Sequence, residues 1–340
     1  MERDCKNRCR GHARSARSAA DVLAIVITVL TFLSVIAPAH AQTTTLRVGH
    51  FPNLTHVQAL VARNFERQGN KWFIGRLGPG VKIEWYAYNA GPSAMEAIFA
   101  NSLDLTYVGP SPAINAHVRA RGKEIRIVAG AVNGGSALVV QPDSGLAKPA
   151  DFRGKRIATP QFGNTQDVAA RAWLTTGGLR IMQTGGDAQV VPTANPDQLG
   201  LFQRKQVDAV WTVEPWVSRL ELEAGGKVLI EEKDAVTTVL TSSVRALTLQ
   251  RDLVRRFIAA HRELTDWIRQ NPKAAQAAIR EELRAGFRAD MAPELVAHAW
   301  GRMTVTSDTS LAVFKAFLTS AQQTGFLRSA SDLSDLVEMP

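Results

Sequence analysis

The sequence predicts an α/β protein of two lobes, each built around a mixed, mostly parallel sheet, with extra helices at the C-terminus. Strand, short loop and capped helix alternate several times between residues 45 and 129, which is typical of a largely parallel sheet. The same alternation resumes over residues 136–230. From Arg251 onward apolar residues repeat at helical spacing, which predicts only helices there.

The first 41 residues have the composition of an export signal. Six basic residues precede residues 22–36. These residues form an uncharged and mostly apolar run that is short for a membrane span. Ala39-His40-Ala41 then offers a cleavage site. We therefore expect a signal peptide over residues 1–41 and a periplasmic location, with a retained N-terminal anchor as the alternative.

Composition limits the classes of partner. The chain has 340 residues, enough for two domains, and both cysteines, Cys5 and Cys9, lie in the leader. An exported chain without other cysteines relies on a large core rather than on disulfides. Without the leader's six basic and three acidic residues, 34 basic and 28 acidic residues remain, a net charge of about +6, which favours anionic ligands. No basic run with interleaved aromatic residues indicates nucleic-acid binding.

Three loops follow strands of the first predicted lobe, at residues 50–55, 89–93 and 109–112. Ligands of parallel sheets bind at the carboxyl ends of the strands, where helix N-termini converge. Ser111 is a good helix cap, and Pro112 suits the first helical position. The candidate ligand-binding residues of these loops are His50, Asn53, Asn89, Gly109, Pro110 and Ser111.

A polar loop follows the predicted strand at residues 156–159 in the second lobe. Pro160 ends this strand, Gly163 allows a positive φ, and Asn164 or Thr165 caps the next helix. Free backbone N–H groups and the positive end of a helix dipole can hold a small anion without a formal positive charge. The side-chain donors around this point are Gln161, Asn164, Thr165 and Gln166. An ordinary capped helix is the alternative interpretation.

The chain is predicted to cross between the lobes twice, near residues 133–135 and near residues 241–246. Two crossings with glycine-rich points suit a hinge. The predicted division is lobe 1 over 45–133 and 246–325, lobe 2 over 136–245, and a C-terminal tail over 326–340.

Several short motifs follow one another along the chain from about Leu46 to about Thr324. They are Val48-Gly49, Asn89-Ala90-Gly91-Pro92, Gly109-Pro110-Ser111-Pro112, Val207-Asp208-Ala209-Val210-Trp211 with Glu214-Pro215-Trp216, and a helix ended by Asn271-Pro272. With these motifs the chain resembles the periplasmic substrate-binding proteins of the aliphatic sulfonate, nitrate and taurine type of ABC importer.

The resemblance implies a type II, flytrap-like periplasmic binding protein. The expected partners are a small oxyanion, above all an organosulfonate such as an alkanesulfonate or taurine, and an ABC permease with its ATPase at the inner membrane. The expected state is a monomer. By resemblance, residues 109–112 and Phe162 to Gln166 meet the anionic head, with Trp211 and Glu214 beside it. Nitrate and a thiamine-precursor pyrimidine remain alternative ligands.

Several side chains allow two interpretations. Glu214 either holds an ammonium group of the ligand or forms a structural ion pair, for instance with Arg219. Trp211 and Trp216 either contact a ligand tail or belong to the core. Asp167, in the first helical turn, is expected to stabilise the helix and to compete with a bound anion.

No motif indicates catalysis or a cofactor. His50 and His56 flank one loop, but a zinc site needs three or four ligands and no third one is near. The sequence contains no nucleophile elbow, phosphate-binding glycine loop or zinc helix motif. We therefore expect a binding protein without metal or cofactor, with an exported enzyme that uses the same cleft as the alternative.

Overall fold

The computed structural model describes residues 43–327 and 332–339. The expected signal peptide lies outside these residues. Among the helices described, none combines the length and the apolar character that a bilayer span requires.

The strands and helices alternate as the sequence predicts over most of the chain. The strands are β1 (Thr44–His50), β2 (Val81–Ala87), β3 (Leu105–Val108), β4 (Ile125–Gly134), β5 (Ser136–Val140), β6 (Arg156–Thr159), β7 (Gln189–Pro192), β8 (Ala209–Val213), β9 (Lys227–Glu231), β10 (Val236–Ser243) and β11 (Met303–Val305). The helices are α1 (Val57–Arg67), α2 (Trp72–Leu77), α3 (Gly91–Phe99), α4 (Pro110–Arg119), α5 (Thr165–Thr176), α6 (Asn195–Gln203), α7 (Trp216–Ala224), α8 (Val244–Leu249), α9 (Arg251–Gln270), α10 (Pro272–Phe287), α11 (Pro293–Trp300) and α12 (Lys315–Gln323). Short 3-10 helices cover Leu54–His56, Pro149–Phe152 and Leu311–Phe314.

Two mixed sheets organise the molecule. The first lobe holds a six-stranded sheet in the order β11-β4-β10-β3-β1-β2, and the second lobe a five-stranded sheet in the order β7-β6-β8-β5-β9. This arrangement confirms the predicted α/β fold class. More of the strand pairs are antiparallel than the sequence predicts. The reason is that β10 runs antiparallel between β3 and β4, and that β11 pairs with β4 in a region where only helices were expected.

Strand β10 brings the chain back to the first lobe. Its eight residues are all buried, and β-branched residues dominate the run, which suits a central strand. The return therefore begins at Val236, earlier than residues 241–246. The outward crossing lies at Gly134 and Gly135, which have φ of 72° and 71°. A Cβ at Gly134 would lie 2.4 Å from the Arg302 carbonyl oxygen, so this close approach requires glycine.

Each lobe has its own apolar core. In the first lobe α9 buries Phe257, whose ring stacks on Phe73 with centroids 4.4 Å apart. In the second lobe Trp211 packs edge-on to Trp173 with centroids 6.2 Å apart. Burying one large apolar side chain contributes about 1.5–3 kcal/mol, so these cores hold each sheet rigid behind the loops at its edge.

The C-terminal residues also belong to the first lobe. Leu336 is buried, and the Ile127 backbone N–H on β4 donates to the Leu336 carbonyl oxygen at 2.7 Å. The Glu338 backbone N–H donates in turn to the Ile127 carbonyl oxygen at 3.0 Å. The described part of the predicted tail is therefore packed against the edge of β4.

Candidate functional site

A small cavity lies between the two lobes, at the carboxyl ends of several strands. Its volume is about 30 Å³, which is close to the space that one water molecule needs. None of the residues that line it is Asp, Glu, Lys or Arg. The lining residues are Phe51, Asn53, Thr55, His56, Asn89, Ala90, Gly91, Gly109, Pro112, Pro160, Asn164, Thr165, Gln166, Asn195, Val213, Thr237 and Thr238.

Four helices begin at this cavity. Gly91 opens α3, Gly109 precedes α4, Asn164 caps α5, and Asn195 opens α6. Each helix start carries a partial positive charge from its aligned peptide dipoles. Two helices come from each lobe, so four positive helix ends surround one small volume. This geometry favours an anion and needs no cationic side chain.

The start of α5 supplies the best free donors. The Asn164 side-chain Oδ1 accepts from the Asp167 N–H at 2.9 Å, and the Asn164 carbonyl oxygen accepts from the Val168 N–H at 3.0 Å. The N–H groups of Thr165 and Gln166 precede the first intrahelical bond, so the helix leaves them available. Gly163, with φ of 77°, turns the chain into this start.

Asp167 does not oppose an anion as the sequence suggested. Its carboxylate is fully buried and accepts from Arg171 Nε at 3.0 Å, from the Gly163 N–H at 2.9 Å and from the Thr159 hydroxyl at 3.0 Å. Arg171 is itself buried and compensates the charge. The carboxylate therefore fixes the loop that precedes α5 and adds no net negative charge there.

The first lobe offers a neutral histidine and a free hydroxyl. Burial lowers the pKa of His56 well below its usual value, and the nearby His50 lowers it further. The Phe51 backbone N–H donates to His56 Nδ1 at 3.3 Å, so the neutral ring carries its proton on Nε2 and can donate from there. Thr238 is buried, and its Oγ1 has no partner within the described part of the chain.

The lobes touch each other through hydrogen bonds around the cavity. Trp216 Nε1 donates to Asn53 Oδ1 at 3.0 Å, and Asn89 Nδ2 donates to the Pro160 carbonyl oxygen at 3.2 Å. Gly109 and Thr165 also approach closely, because a Cβ at Gly109 would lie 2.4 Å from Thr165 Oγ1.

The structure brings about half of the sequence-predicted residues to the cavity. Those that line it are Asn53, Asn89, Gly109, Asn164, Thr165 and Gln166. Those that lie outside its lining are His50, Pro110, Ser111, Gln161, Phe162, Trp211 and Glu214.

Three of the outlying residues lie near the cavity or at its outer rim. Gln161 Nε2 donates to the Ser93 hydroxyl at 3.0 Å. Phe162 is 40% exposed and packs on Phe326 with centroids 4.9 Å apart. Ser111 donates its backbone N–H to Thr165 Oγ1 at 3.4 Å. Pro110 is buried in the first turn of α4, where it provides no N–H donor.

His50 and Trp211 belong to the lobe cores. The His50 ring lies edge-on between Trp85 and Phe287, with centroid distances of 5.9 and 5.8 Å. Burial lowers the pKa of His50 to about 3, so the ring is neutral. Trp211 Nε1 donates to Glu232 Oε2 at 3.3 Å from within the second-lobe core. Within the described residues no group of three potential metal ligands exists.

Glu214 forms a structural ion pair, and its partner is Arg302. Arg302 Nη1 lies 3.3 Å from Glu214 Oε1, and the Ser218 hydroxyl donates to the same oxygen at 2.9 Å. Arg219, the partner considered from the sequence, pairs with Glu223 instead at 2.8 Å. Burial raises the pKa of Glu214 to about 7 against the opposing effect of Ser218 and Arg302.

Sequence reasoning missed much of the first-lobe lining. Thr237 and Thr238 come from β10, whose central position in the first sheet was not predicted. The β-branched run at 236–241 was the available signal. Asn195 was not among the residues expected at the site, although its helix follows β7 at the same sheet edge as α5.

This fold and cleft define a class of protein. Two α/β lobes with mixed sheets, crossed twice by the chain and enclosing a cavity at the helix starts, form the type II periplasmic binding protein fold. The solved alkanesulfonate-binding protein from Xanthomonas axonopodis pv. citri bound to MOPS shares it, with a TM-score of 0.71 and 22% identity, over 87% of this chain and 99% of that chain.

The chain belongs to the NMT1-like family, whose sequence model matches residues 39–281. It is 28% identical to the taurine-binding periplasmic protein of Escherichia coli (strain K12) over 154 residues, and this stretch covers 45% of each chain. It is 30% identical over 159 residues to a putative aliphatic sulfonates-binding protein of the same organism, 46% of this chain and 47% of that protein. The chain therefore spans about half the length of the curated relatives it matches. The sequence-based resemblance to this group is confirmed.

Proposed function

We propose that this protein is the periplasmic solute-binding component of an ABC importer. In this proposal it captures a small oxyanion, above all an organosulfonate, between its lobes and delivers it to a membrane permease with its ATPase. The observation that carries the proposal is the cavity where four helix starts converge and no charged side chain lines the wall. The names of the relatives point to the same ligand class.

The available donors can supply a useful affinity. A scavenging receptor needs a dissociation constant near 1 μM, about −8 kcal/mol. Hydrogen bonds to a charged group contribute about 1.5–3 kcal/mol each, from which ordering costs are subtracted. The donors that support the proposal are the N–H groups of Thr165 and Gln166, the Thr238 hydroxyl and the His56 ring.

The size of the cavity requires a hinge. A sulfonate group with its carbon chain needs more than about 30 Å³, so the two walls must separate for it to enter. The two crossings near Gly134 and Val236 suit a rigid-body opening of this kind. We assign residues 45–133 and 246–325, together with β10 and residues 332–339, to one moving body and the five-stranded sheet to the other. Residues 1–41 act as the export signal in this proposal, and the exported chain works as a monomer.

Binding and mutation together test the proposal. The mature chain is screened by thermal shift against alkanesulfonates, taurine, nitrate, sulfate and bicarbonate, and hits are measured by calorimetry. A sulfonate at about 100 times its dissociation constant adds roughly 2.7 kcal/mol, a shift of a few degrees. The double variant Thr165→Pro with Thr238→Val removes the first free N–H of α5 and the unpartnered hydroxyl, and it should weaken binding about 10- to 100-fold. Thr176→Ala with Gln183→Ala, at the other end of α5 and beyond it, is the matched control and should leave affinity unchanged.

Other outcomes assign other functions. Unchanged affinity in the Thr165 and Thr238 double variant would remove this cavity from the proposal. A response to nitrate or to a pyrimidine, with none to sulfonates, would change the ligand class. Chemical conversion of a bound sulfonate, detected by mass spectrometry after incubation, would replace the receptor with an exported enzyme.

A further inference from the structure

The C-terminal part of the chain leaves strand β4 of the first lobe and returns to the same strand. Before this excursion the Gly130 N–H on β4 donates to the Ser307 carbonyl oxygen at 3.0 Å. After it, Leu336 pairs with Ile127 of β4 as described above. The segment in between, residues 309–327, contains a short 3-10 helix and α12, and we call it the C-terminal strap. The chain is therefore fixed to the first lobe on both sides of the strap.

The strap itself reaches across to the second lobe. Helix α12 packs against α4 of the first lobe and against α5 of the second. Both of these helices begin at the cavity that lies between the lobes, which we call the first cavity. Beyond α12, the Phe326 ring lies against the Phe162 ring of the second lobe, with centroids 4.9 Å apart. A Cβ at Gly163 would lie 3.3 Å from Phe326, so the aromatic contact sits directly on the loop that precedes α5.

The strap is held more firmly by the first lobe than by the second. Phe314, Ala321 and Leu327 are at most 5% exposed and belong to an apolar cluster built mainly from first-lobe residues. Toward the second lobe the contacts are apolar. Among the described residues no hydrogen bond joins the strap to that lobe, and the strap's side-chain hydrogen bonds stay within it. Apolar contacts are non-directional, so this side of the strap can separate without leaving unpaired polar groups.

Three cavities between the strap and the second lobe show that this contact is loosely packed. Their volumes are about 260, 370 and 410 Å³. Protein interiors contain few voids larger than a water molecule, and the walls of a void lose dispersion contacts. The smallest of the three includes Thr165 and the next includes Pro112, and both residues also line the first cavity. Phe317 and Phe326 of the strap stand on the outer sides of these two cavities, so a ligand that leaves past Thr165 or Pro112 meets the strap.

We propose that the C-terminal strap is a latch over the cleft and that the contact between Phe326 and Phe162 holds it shut. The strap moves with the first lobe, because the chain on both sides of it is fixed to β4. Phe326 and Phe162 therefore separate whenever the lobes open. The two rings are positioning residues, since they stabilise the closed arrangement of the lobes and do not line the first cavity. The effect of the latch on ligand release rests on the proposed function, whereas its effect on the lobes does not.

The distance between the lobes tests the latch without any ligand. Both cysteines of the sequence lie in the expected leader, so Met182→Cys with Leu249→Cys gives two spin-label sites, one exposed on each lobe. Double electron–electron resonance should show that adding Phe326→Ala raises the ratio of long to short distances about 2- to 10-fold, the effect expected from one aromatic pair. Leu222→Ala removes another exposed apolar side chain and is the control, which should leave the distances unchanged. Unchanged distances in Phe326→Ala would overturn the latch.

Release rates for two sulfonates of different length test what the latch does to the ligand. Methanesulfonate and butane-1-sulfonate share the anionic group and differ in their carbon chains. Stopped-flow tryptophan fluorescence should show that Phe326→Ala speeds dissociation about 2- to 10-fold for both ligands, because the latch acts on the lobes and not on the carbon chain. Phe162→Ala should have the same effect. The double variant should be no faster than either single one, since each substitution already removes the pair.

The remaining outcomes separate the latch from other roles of the two rings. An effect that grows from methanesulfonate to butane-1-sulfonate would assign the rings to the ligand's carbon chain and overturn the latch. Additive effects of the two substitutions would show that the rings act independently, which also overturns it. If neither sulfonate binds, the proposed function fails, and the label distances alone decide on the latch. If Phe326→Ala does not fold, Phe326→Leu replaces it and should shift the distances in the same direction by a smaller amount.

Discussion

Two places where the lobes meet use opposite chemistry. Around Arg302, between the C-terminal helices and α7, the guanidinium lies 2.8 Å from Glu221, 3.3 Å from Glu214 and 3.8 Å from Glu231. The first cavity, by contrast, is lined by uncharged residues and by helix starts. The charged cluster joins two surfaces within one chain, whereas in the proposed function the cavity presents partial charges to a ligand.

The difference follows from the cost of desolvation. A buried ion pair recovers its desolvation cost only when both charges stay in contact. A cleft that opens and closes would expose and bury a formal charge in each cycle. Fixed backbone dipoles stay hydrogen-bonded along their helices and carry no such cost, so they suit the place where a ligand exchanges.

Removing the charge at the centre of the cluster should have the largest effect. Arg302→Ala leaves the fully buried Glu214 without its cation and also takes the partner from Glu221 and Glu231, and a broken buried pair costs about 3–5 kcal/mol. Urea unfolding at pH 8 measures this loss. Arg219→Ala, which breaks the exposed pair with Glu223, is the control and should cost under about 1 kcal/mol. Equal effects of the two variants would mean that the cluster contributes no more than a surface pair.

Neutralising Glu214 should give a smaller, pH-dependent effect. Its pKa is about 7 in the folded chain, against a usual value of 4.5. Because the folded pKa is raised, this carboxyl group stabilises the fold fully below pH 4.5, and the contribution is lost as pH rises through 7. Glu214→Gln lacks this dependence, so from pH 5 to pH 8 its free energy of unfolding should gain about 2 kcal/mol relative to the unaltered protein. Parallel pH profiles of the two proteins would contradict the raised pKa.

The first cavity should show almost no pH dependence. His56 is its one titratable lining residue, and its pKa is lowered well below the usual value, so the ring stays neutral. The affinity for butane-1-sulfonate should therefore change less than about twofold between pH 8 and pH 6. Calorimetry at both values checks this. A gain in affinity toward pH 6 would show that His56 becomes protonated when the anion binds, and would make the two regions chemically alike.

The sequence predicts the parts of this molecule that depend on local pattern. Strand and helix alternation gave the fold class, and the capping pattern at Gly163 and Asn164 gave the α5 start that the structure shows. His50 illustrates a signal that was present and not used. It lies on the same face of β1 as Leu46 and Val48, because side chains alternate along a strand, and that face is the core.

Other features depend on contacts between distant residues. Glu214 and Arg302 are 88 positions apart, and nothing local to Glu214 indicates which cation it meets. Thr238 enters the cavity only because β10 crosses back between β3 and β4.

The close approach of Gly109 to Thr165 has a consequence for how this protein can change its preferences. Glycine at position 109 allows the two lobes to approach closely at this point, since a Cβ there would lie 2.4 Å from the threonine oxygen. A larger residue there must displace the Thr165 side chain or hold the two lobes farther apart. Successive enlargement from glycine to alanine to serine therefore offers a graded way to redesign the receptor for bulkier cargo, at a position that contributes no side chain to recognition.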